Sequence, residues 1–128
     1  MEDLPIMKEL PIMKDLPIMY KTYKLIIWYV PILNRLPKNH KFGLGDRIVN
    51  RLYDLMEGLS EARYDNDKLE KLKRLNAKVD ILRIFTWLLF DLDVFDQDKV
   101  RCAGRQINEI GCGLGGWIKQ QQNIKKGQ

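Results

Sequence analysis

The side chains in this sequence that are best suited to chemistry are its cations, because lysine and arginine bind phosphate groups. The chain of 128 residues has 22 Lys and Arg against 17 Asp and Glu, which gives a formal net charge of +5. The surplus is concentrated: residues 33–51 hold five cations against Asp46 alone, and residues 94–128 hold six cations against three acids. The cations of the first stretch are Arg35, Lys38, Lys41, Arg47 and Arg51.

Two interpretations of these cations remain open. The first is a basic patch that binds phosphates, and the second is a set of solvated helical faces, which the modest charge of one copy favours. Assembly of several copies side by side would concentrate the field and favour the first. No motif in the sequence resembles an element that enters a DNA groove, so any binding would depend strongly on salt and weakly on base sequence.

The sequence offers little for covalent or metal chemistry. Cys102 and Cys112 lie about 80° apart around a helix and cannot pair within it, and with a single histidine they fall short of a four-ligand zinc site. We interpret both as reduced thiols that pack as small apolar groups. His40, which any Ser-His-Asp system would need, lies in a segment of loop composition. We therefore expect no enzyme, no metal and no cofactor.

Two further motifs invite a functional interpretation. The glycine cluster of residues 111–116 lacks the Lys-Ser or Lys-Thr of a phosphate-binding loop and follows a helical pattern rather than a strand. Instead, Gly111 and Gly115 are four residues apart and would allow another backbone to approach. The acids Asp91, Asp93, Asp96 and Asp98 are expected to cap a helix rather than to bind a metal.

The composition favours one folded domain. With 45% apolar and 30% charged residues the chain is not a disordered polyelectrolyte. Its longest apolar runs, residues 25–33 and 84–90, are shorter than the ~20 residues that cross a bilayer. Met1 is followed by two acids rather than by the basic and apolar regions of a signal peptide. We expect a soluble, cytoplasmic protein with no membrane partner.

A hexapeptide repeat opens the chain, with copies at residues 4–9, 10–15 and 16–21. A proline in every copy prevents a continuous helix, so residues 1–15 are predicted to be an extended or disordered leader. Asp15 is a candidate cap for the helix that begins in the third copy. We assign residues 16–122 to a folded domain and residues 123–128 to a polar tail, which frays.

Apolar periodicity predicts four helices, near residues 17–34, 44–63, 68–90 and 97–119, with a turn at residues 37–43. The segment Asp65-Asn66-Asp67 supplies turn and cap chemistry for the third helix, and Asp96 is suited to cap the fourth. Four amphipathic helices with short turns predict an all-α fold, an antiparallel up-down-up-down four-helix bundle. The inward stripe of the first helix is predicted to be Met19, Tyr23, Ile26, Ile27 and Val30. The inward stripe of the second helix is predicted to be Leu44, Ile48, Leu52, Leu55 and Leu59. That of the third helix is Leu72, Leu75, Val79, Leu82, Thr86 and Leu89. That of the fourth helix is Val100, Ala103, Ile107, Ile110, Leu114 and Trp117.

Several aromatic residues lie at or beyond the edges of these stripes, namely Trp28, Tyr29, Trp87, Phe90 and Phe95. They indicate either self-association through a second apolar surface or a broad internal stripe with a few exposed rings. The pattern does not decide between the two.

Three stretches, residues 16–19, 36–48 and 109–119, together resemble the four-helix-bundle family that includes the accessory variability determinant (Avd) of diversity-generating retroelements. Proteins encoded in ribosomal RNA intervening sequences are its relatives. The resemblance covers about residues 16–122 and leaves the repeated leader outside. The residues that carry it are Leu44, Gly45, Arg47 and Ile48 in the second helix and Gly115, Gly116, Trp117 and Lys119 in the fourth.

The resemblance implies a pentameric barrel of four-helix bundles. It also implies that the protein is a non-enzymatic partner of a reverse transcriptase that binds RNA and DNA and supports mutagenic copying of a template repeat. On this basis the glycine run stays helical, and close packing or oligomer contacts are expected at Gly111, Gly115, Gly116, Trp117, Trp28 and Trp87. Phosphate contacts are expected from Arg35, Lys38, Lys41, Arg47, Arg51, Lys71, Lys73, Arg74, Lys78 and Lys119. The alternative function is a structural homo-oligomer of the intervening-sequence type with no nucleic-acid role.

Overall fold

The computed structural model describes residues 9–127, which are helical apart from short connections and contain no strand. A π-helical segment, Lys41–Gly45, joins the third and fourth of six α-helices. These are α1 Pro11–Asp15, α2 Pro17–Asn34, α3 Lys38–His40, α4 Asp46–Ala62, α5 Lys68–Asp91 and α6 Gln97–Lys126. None of the helices within residues 9–127 is both long and apolar enough to cross a membrane.

Four of these helices form a bundle, because α2 packs against α4 and α6, and α5 packs against the same two helices. The Lys71–Glu61 ion pair joins the start of α5 to the end of α4, and the Lys125–Asp67 pair joins the end of α6 to the start of α5. Neighbouring helices therefore run antiparallel there, and the predicted all-α bundle is confirmed.

The two predicted caps form as expected. The Asp67 carboxylate accepts a hydrogen bond from the Glu70 backbone amide, and the Asp96 carboxylate accepts one from the Lys99 amide at 2.8 Å. The first amides of a helix have no acceptor within that helix, and each of these carboxylates supplies one. The predicted inward positions of α5 are all buried, and those of α4 and α6 are buried from Ile48 to Leu59 and from Val100 to Leu114.

The predicted inward stripe of α2 is displaced from the face that is fully buried. Met19 is buried, and Ile26 and Val30 are partly buried against the core. Tyr23 is half-buried and Ile27 is exposed. The buried face consists of Ile18, Met19, Thr22, Leu25, Tyr29 and Leu33. The sequence around α2 is apolar on most sides, so periodicity alone does not select the face that packs. Tyr29 is buried because its hydroxyl shares a 2.8 Å hydrogen bond with Thr86, and its ring lies 5.9 Å from that of the buried Phe95.

The chain is helical in three places where the sequence predicted otherwise. Residues 11–15 of the leader form α1, because Pro11 stands in the first turn of a helix, where its missing amide costs nothing. The helix stops at Leu16 before the next proline, and Leu16 rather than Asp15 is the cap residue of α2. The predicted turn at residues 37–43 is instead α3 and the π-helical segment, and α6 continues through the polar tail to Lys126. Residues 4–8 of the first repeat copy lie outside the described residues.

Candidate nucleic-acid interface

One face of α4 borders α5 and carries two of the predicted phosphate-binding residues. Arg47 and Arg51 are one turn apart, and the same face continues through Asp54 and Gly58 to Glu61. A Cβ atom at Gly58 would collide with the Leu75 side chain of α5, and the Glu61 carboxylate accepts a 3.0 Å hydrogen bond from Lys71 of α5. These two contacts fix the side of α4 that borders α5, and helical periodicity places Arg47 and Arg51 on that same side.

Three more of the predicted residues lie on the α5 side of the same groove. Lys71, Arg74 and Lys78 are three and four residues apart and share one face of α5. Because Lys71 reaches Glu61 of α4, this face borders α4. The fold therefore brings five predicted cations onto one surface, which we call the basic seam: Arg47, Arg51, Lys71, Arg74 and Lys78.

The acids Asp54 and Glu61 also lie along the basic seam, and Glu61 partly neutralises Lys71. The Lys71 side chain is half-buried, whereas the Glu61 side chain is 63% exposed. The other four cations of the seam form no ion pair with any residue in the described part of the chain. The seam thus keeps a net positive charge and several cations that are available to a ligand.

A second group of predicted residues lies where α2 joins α4. We call residues 35–45 the basic connector, since they contain Arg35, Lys38 and Lys41 and no acid. Arg35 and Lys38 are exposed, and the Lys41 ammonium lies 5.3 Å from the centroid of the exposed Phe42 ring. One exposed acid, Asp46, separates the connector from Arg47, and the connector extends the basic seam at the end where α4 begins.

Two predicted residues lie apart from this surface. Lys73 is two positions from Lys71, which places it on a different face of α5, where it lies 3.9 Å from Glu70. Lys119 is on α6, which packs against α2 and α5 and does not border the α4 face of the seam. The ten predicted residues are therefore not one site: eight follow the seam and its connector, and two do not.

A further group of cations was not among the predicted contacts. Lys21, Arg83, Arg101 and Arg105 line a groove of about 810 Å³ on the side of the bundle formed by α5 and α6, together with Trp87. Arg83 is held in place by hydrogen bonds to Asp80 at 2.7 Å and to Asn108 at 3.0 Å. Arg101 and Arg105 are four residues apart on α6, and this spacing is the signal that would have identified them.

The glycine run is helical throughout, as the family resemblance implied, because α6 continues unbroken across residues 111–116. A Cβ atom at Gly111 would collide with the Arg83 guanidinium, whereas Gly115 and Gly116 have no atom of the described residues within 4 Å of that position. Trp28 and Trp117 are partly buried against the core, and Trp87 is 57% exposed. Within one chain, then, only Gly111 of these three glycines is closely packed, and its neighbour is a side chain rather than a helix backbone.

The other reactive groups of the chain show no comparable arrangement. Cys102 is a free, partly buried thiol and Cys112 is a free, exposed one. In the described part of the chain no three His, Cys, Asp or Glu side chains are grouped so that they could hold a metal ion. Burial raises the pKa of the Tyr29 phenol well above its ordinary value, so this hydroxyl stays neutral.

Comparison with known families identifies the family of this chain. Residues 16–121 match the model of a family described as bAvd-like. The matched range begins at the third copy of the hexapeptide repeat and ends within α6. No curated protein matches the chain significantly.

Proposed function

Because the chain belongs to the bAvd-like family, we propose that it is a non-enzymatic accessory protein of a diversity-generating retroelement. In this role it binds RNA or DNA together with the reverse transcriptase and supports mutagenic retrohoming in the cytoplasm. The observation that supports nucleic-acid binding most directly is the basic seam, where two helices contribute five cations to one surface and the basic connector adds three more.

The geometry favours contacts with the phosphate backbone over contacts with base edges. The seam runs along α4, which at 17 residues is about 25 Å long and so spans several phosphates. Its cations are distributed along two antiparallel helices and do not project as a single recognition helix. We therefore expect binding with little sequence specificity that weakens steeply as salt rises.

We further propose that the protein assembles into a homopentamer, as the family resemblance implies. The surface that supports assembly is on α5, where Ile84, Trp87 and Leu88 are all exposed and lie within one turn, with Leu92 just beyond the helix. Gly115 and Gly116 of α6 are also uncovered and offer room for a neighbouring copy. A ring of such copies would repeat the basic seam and strengthen its field.

This exposed apolar surface also favours a second candidate, a structural homo-oligomer of the intervening-sequence type without a nucleic-acid role. Co-expression with the reverse transcriptase of the same locus, followed by affinity capture, separates the two. Recovery of the reverse transcriptase supports the accessory role, and its absence from the captured material supports the structural one.

The nucleic-acid role is tested by reversing charges in the basic seam. We expect the triple variant Arg47→Glu, Arg51→Glu, Lys78→Glu to bind structured RNA at least about tenfold more weakly. The slope of log affinity against log salt should fall by roughly 2 to 3, because each lost phosphate contact removes ~0.7–0.9. Fluorescence anisotropy between ~50 and ~200 mM salt measures both quantities.

The matched control reverses three cations outside the seam, as Lys73→Glu, Lys119→Glu and Lys126→Glu, and changes the net charge equally. Circular dichroism verifies that both variants fold. If the two triple variants lose the same affinity, binding follows net charge and the seam is not the site. If the wild-type protein binds no RNA or DNA at low salt, the nucleic-acid role is wrong.

A further inference from the structure

The basic connector displays an aromatic ring whose surroundings differ from those of every other exposed ring in residues 9–127. Four aromatic side chains are exposed there: Phe42 at 65%, Tyr53 at 44%, Tyr64 at 78% and Trp87 at 57%. Within three positions on either side, Tyr53 and Tyr64 have acids, and Trp87 has no charged neighbour. Phe42 alone has a cation and no acid in that window.

The backbone around Phe42 is anchored in the fold, while the ring itself is exposed. Phe42 is in the π-helical segment, a geometry that is rare and is often found at functional sites. Gly45, three residues later, is buried, and a Cβ atom there would stand 3.3 Å from the His40 carbonyl oxygen. At Gly43, next to Phe42, a Cβ atom would have no atom of residues 9–127 within 4 Å. The segment is therefore anchored at Gly45 and open beside the ring.

We propose that Phe42 is a base-stacking residue and that the basic connector binds unpaired nucleotides of single-stranded RNA or DNA. The inference rests on the proposed nucleic-acid role and specifies the kind of nucleic acid that this part of the surface takes. An exposed ring on a basic surface is the arrangement by which proteins bind single strands, because every base has a face that can stack. In a duplex those faces are already covered by neighbouring bases.

The cations of the connector supply the second half of such a site. Lys41 lies 5.3 Å from the Phe42 centroid, so its ammonium can meet the phosphate next to a stacked base. Arg35 and Lys38 are exposed on the same connector, and Arg47 begins the basic seam beyond it. A single strand would thus stack at Phe42 and continue along the seam through its phosphates.

Tyr64 provides a matched control at the other end of α4. Its ring is at least as exposed as that of Phe42, and Arg63 lies over it at 5.6 Å. Two acids, Asp65 and Asp67, follow it directly in the sequence, and Glu61 precedes it by three residues. If an exposed ring with a cation were sufficient, Tyr64 would bind single strands as well as Phe42 does. The proposal requires, in addition, that no acids close to the ring offset the charge of the cations.

The experiment compares Phe42→Ala and Tyr64→Ala in the full chain. The probes are a fluorescein-labelled pyrimidine RNA of about 16 nucleotides and a duplex of the same length. We expect Phe42→Ala to weaken single-strand binding about tenfold and to change duplex binding less than about twofold. Phe42→Trp should retain single-strand binding, Phe42→Leu should not, and Tyr64→Ala should leave both affinities unchanged.

Several results would overturn the proposal. Equal loss of single-strand and duplex binding in Phe42→Ala would show that the ring supports the fold or the charges and does not stack, and it would leave the nucleic-acid role intact. If Phe42→Leu bound the single strand as tightly as the wild-type protein, an apolar contact without stacking would be sufficient for binding. A lower sedimentation coefficient for Phe42→Ala would place the ring in a contact between copies. Failure of the wild-type protein to bind either probe would instead remove the nucleic-acid role itself.

Discussion

The two connections that flank α4 carry the same local motif with opposite electrostatic outcomes. In the basic connector Lys41 lies over Phe42, and in the turn of residues 63–67, which we call the acidic turn, Arg63 lies over Tyr64. The connector contains no acid, whereas the acidic turn contains Asp65 and Asp67. An exposed ring with its cation therefore indicates a ligand site only when the surrounding charges are also considered.

The acids of the acidic turn are engaged in holding the chain together. The Asp65 carboxylate accepts a 2.8 Å hydrogen bond from the Asp67 amide, and the Lys68 ammonium donates to the Asp65 carbonyl oxygen at 3.0 Å. Asp67 caps α5 and lies 3.5 Å from Lys125 at the end of α6. At this end of the bundle the charged side chains are largely engaged in contacts within the fold. The two ends therefore differ in the number of cations available to bind a ligand.

The largest effect that we expect from this comparison concerns the core beside the basic connector. Thr86→Val should lower the free energy of unfolding by about 1–3 kcal/mol, because it leaves the buried Tyr29 hydroxyl without a partner. Thr22→Val, in the half of the bundle away from the connector, should cost less than about 1 kcal/mol. Among residues 9–127 the Thr22 hydroxyl bonds only to the Ile18 carbonyl of its own helix. Denaturant unfolding at one protein concentration measures both.

A double variant distinguishes the lost hydrogen bond from a packing defect. Tyr29→Phe with Thr86→Val removes both partners and should be more stable than Thr86→Val alone. Equal destabilisation by Thr86→Val and Thr22→Val would show that the Tyr29–Thr86 pair does not set the two halves of the bundle apart.

The fold was predictable from sequence wherever one helical face is clearly apolar. The inward residues of α5 from Leu72 to Leu89 follow directly from their spacing, and so do the caps at Asp67 and Asp96. The face of α2 was not predictable, because its apolar residues surround the helix and packing alone selects Leu25 and Tyr29. Neither was α1 predictable, since a single turn between two prolines gains its stability from contacts with the rest of the bundle.

The candidate site was predictable only within each helix. The spacing of Arg47 and Arg51, or of Lys71 and Lys78, places each pair on one face of its own helix. That these two faces meet depends on how α4 packs on α5, through contacts such as Gly58 with Leu75, which no local pattern contains. For the same reason the sequence predicted phosphate contacts at Lys73 and Lys119, although both residues lie away from the seam.

The helix caps Asp67 and Asp96 lie at opposite ends of the bundle, and removing either should have a smaller effect on stability than Thr86→Val. Asp96→Ala should lower the free energy of unfolding by about 1 kcal/mol, because its carboxylate accepts a short 2.8 Å bond from the Lys99 amide. In Asp67→Ala the lost cap bond is longer, at 3.5 Å, and the exposed pair with Lys125 adds little. We therefore expect a smaller loss for Asp67→Ala by thermal or denaturant unfolding. A larger loss at Asp67 would mean that its contact with α6 outweighs the cap.

The smallest effect tests whether acids limit the ligand capacity of a surface, as the comparison of the two connections implies. Glu61→Gln breaks the Lys71–Glu61 pair and should lower the free energy of unfolding by no more than about 1 kcal/mol, because the carboxylate is largely exposed. It also removes a negative charge from the basic seam, so RNA binding at low salt should strengthen about twofold. Glu70→Gln is the control: it breaks the pair with Lys73 outside the seam, with a similar small loss of stability and no gain in RNA affinity. If Glu61→Gln binds RNA more weakly than the wild-type protein, Glu61 positions Lys71 for binding, and the acid supports the basic seam rather than limiting it.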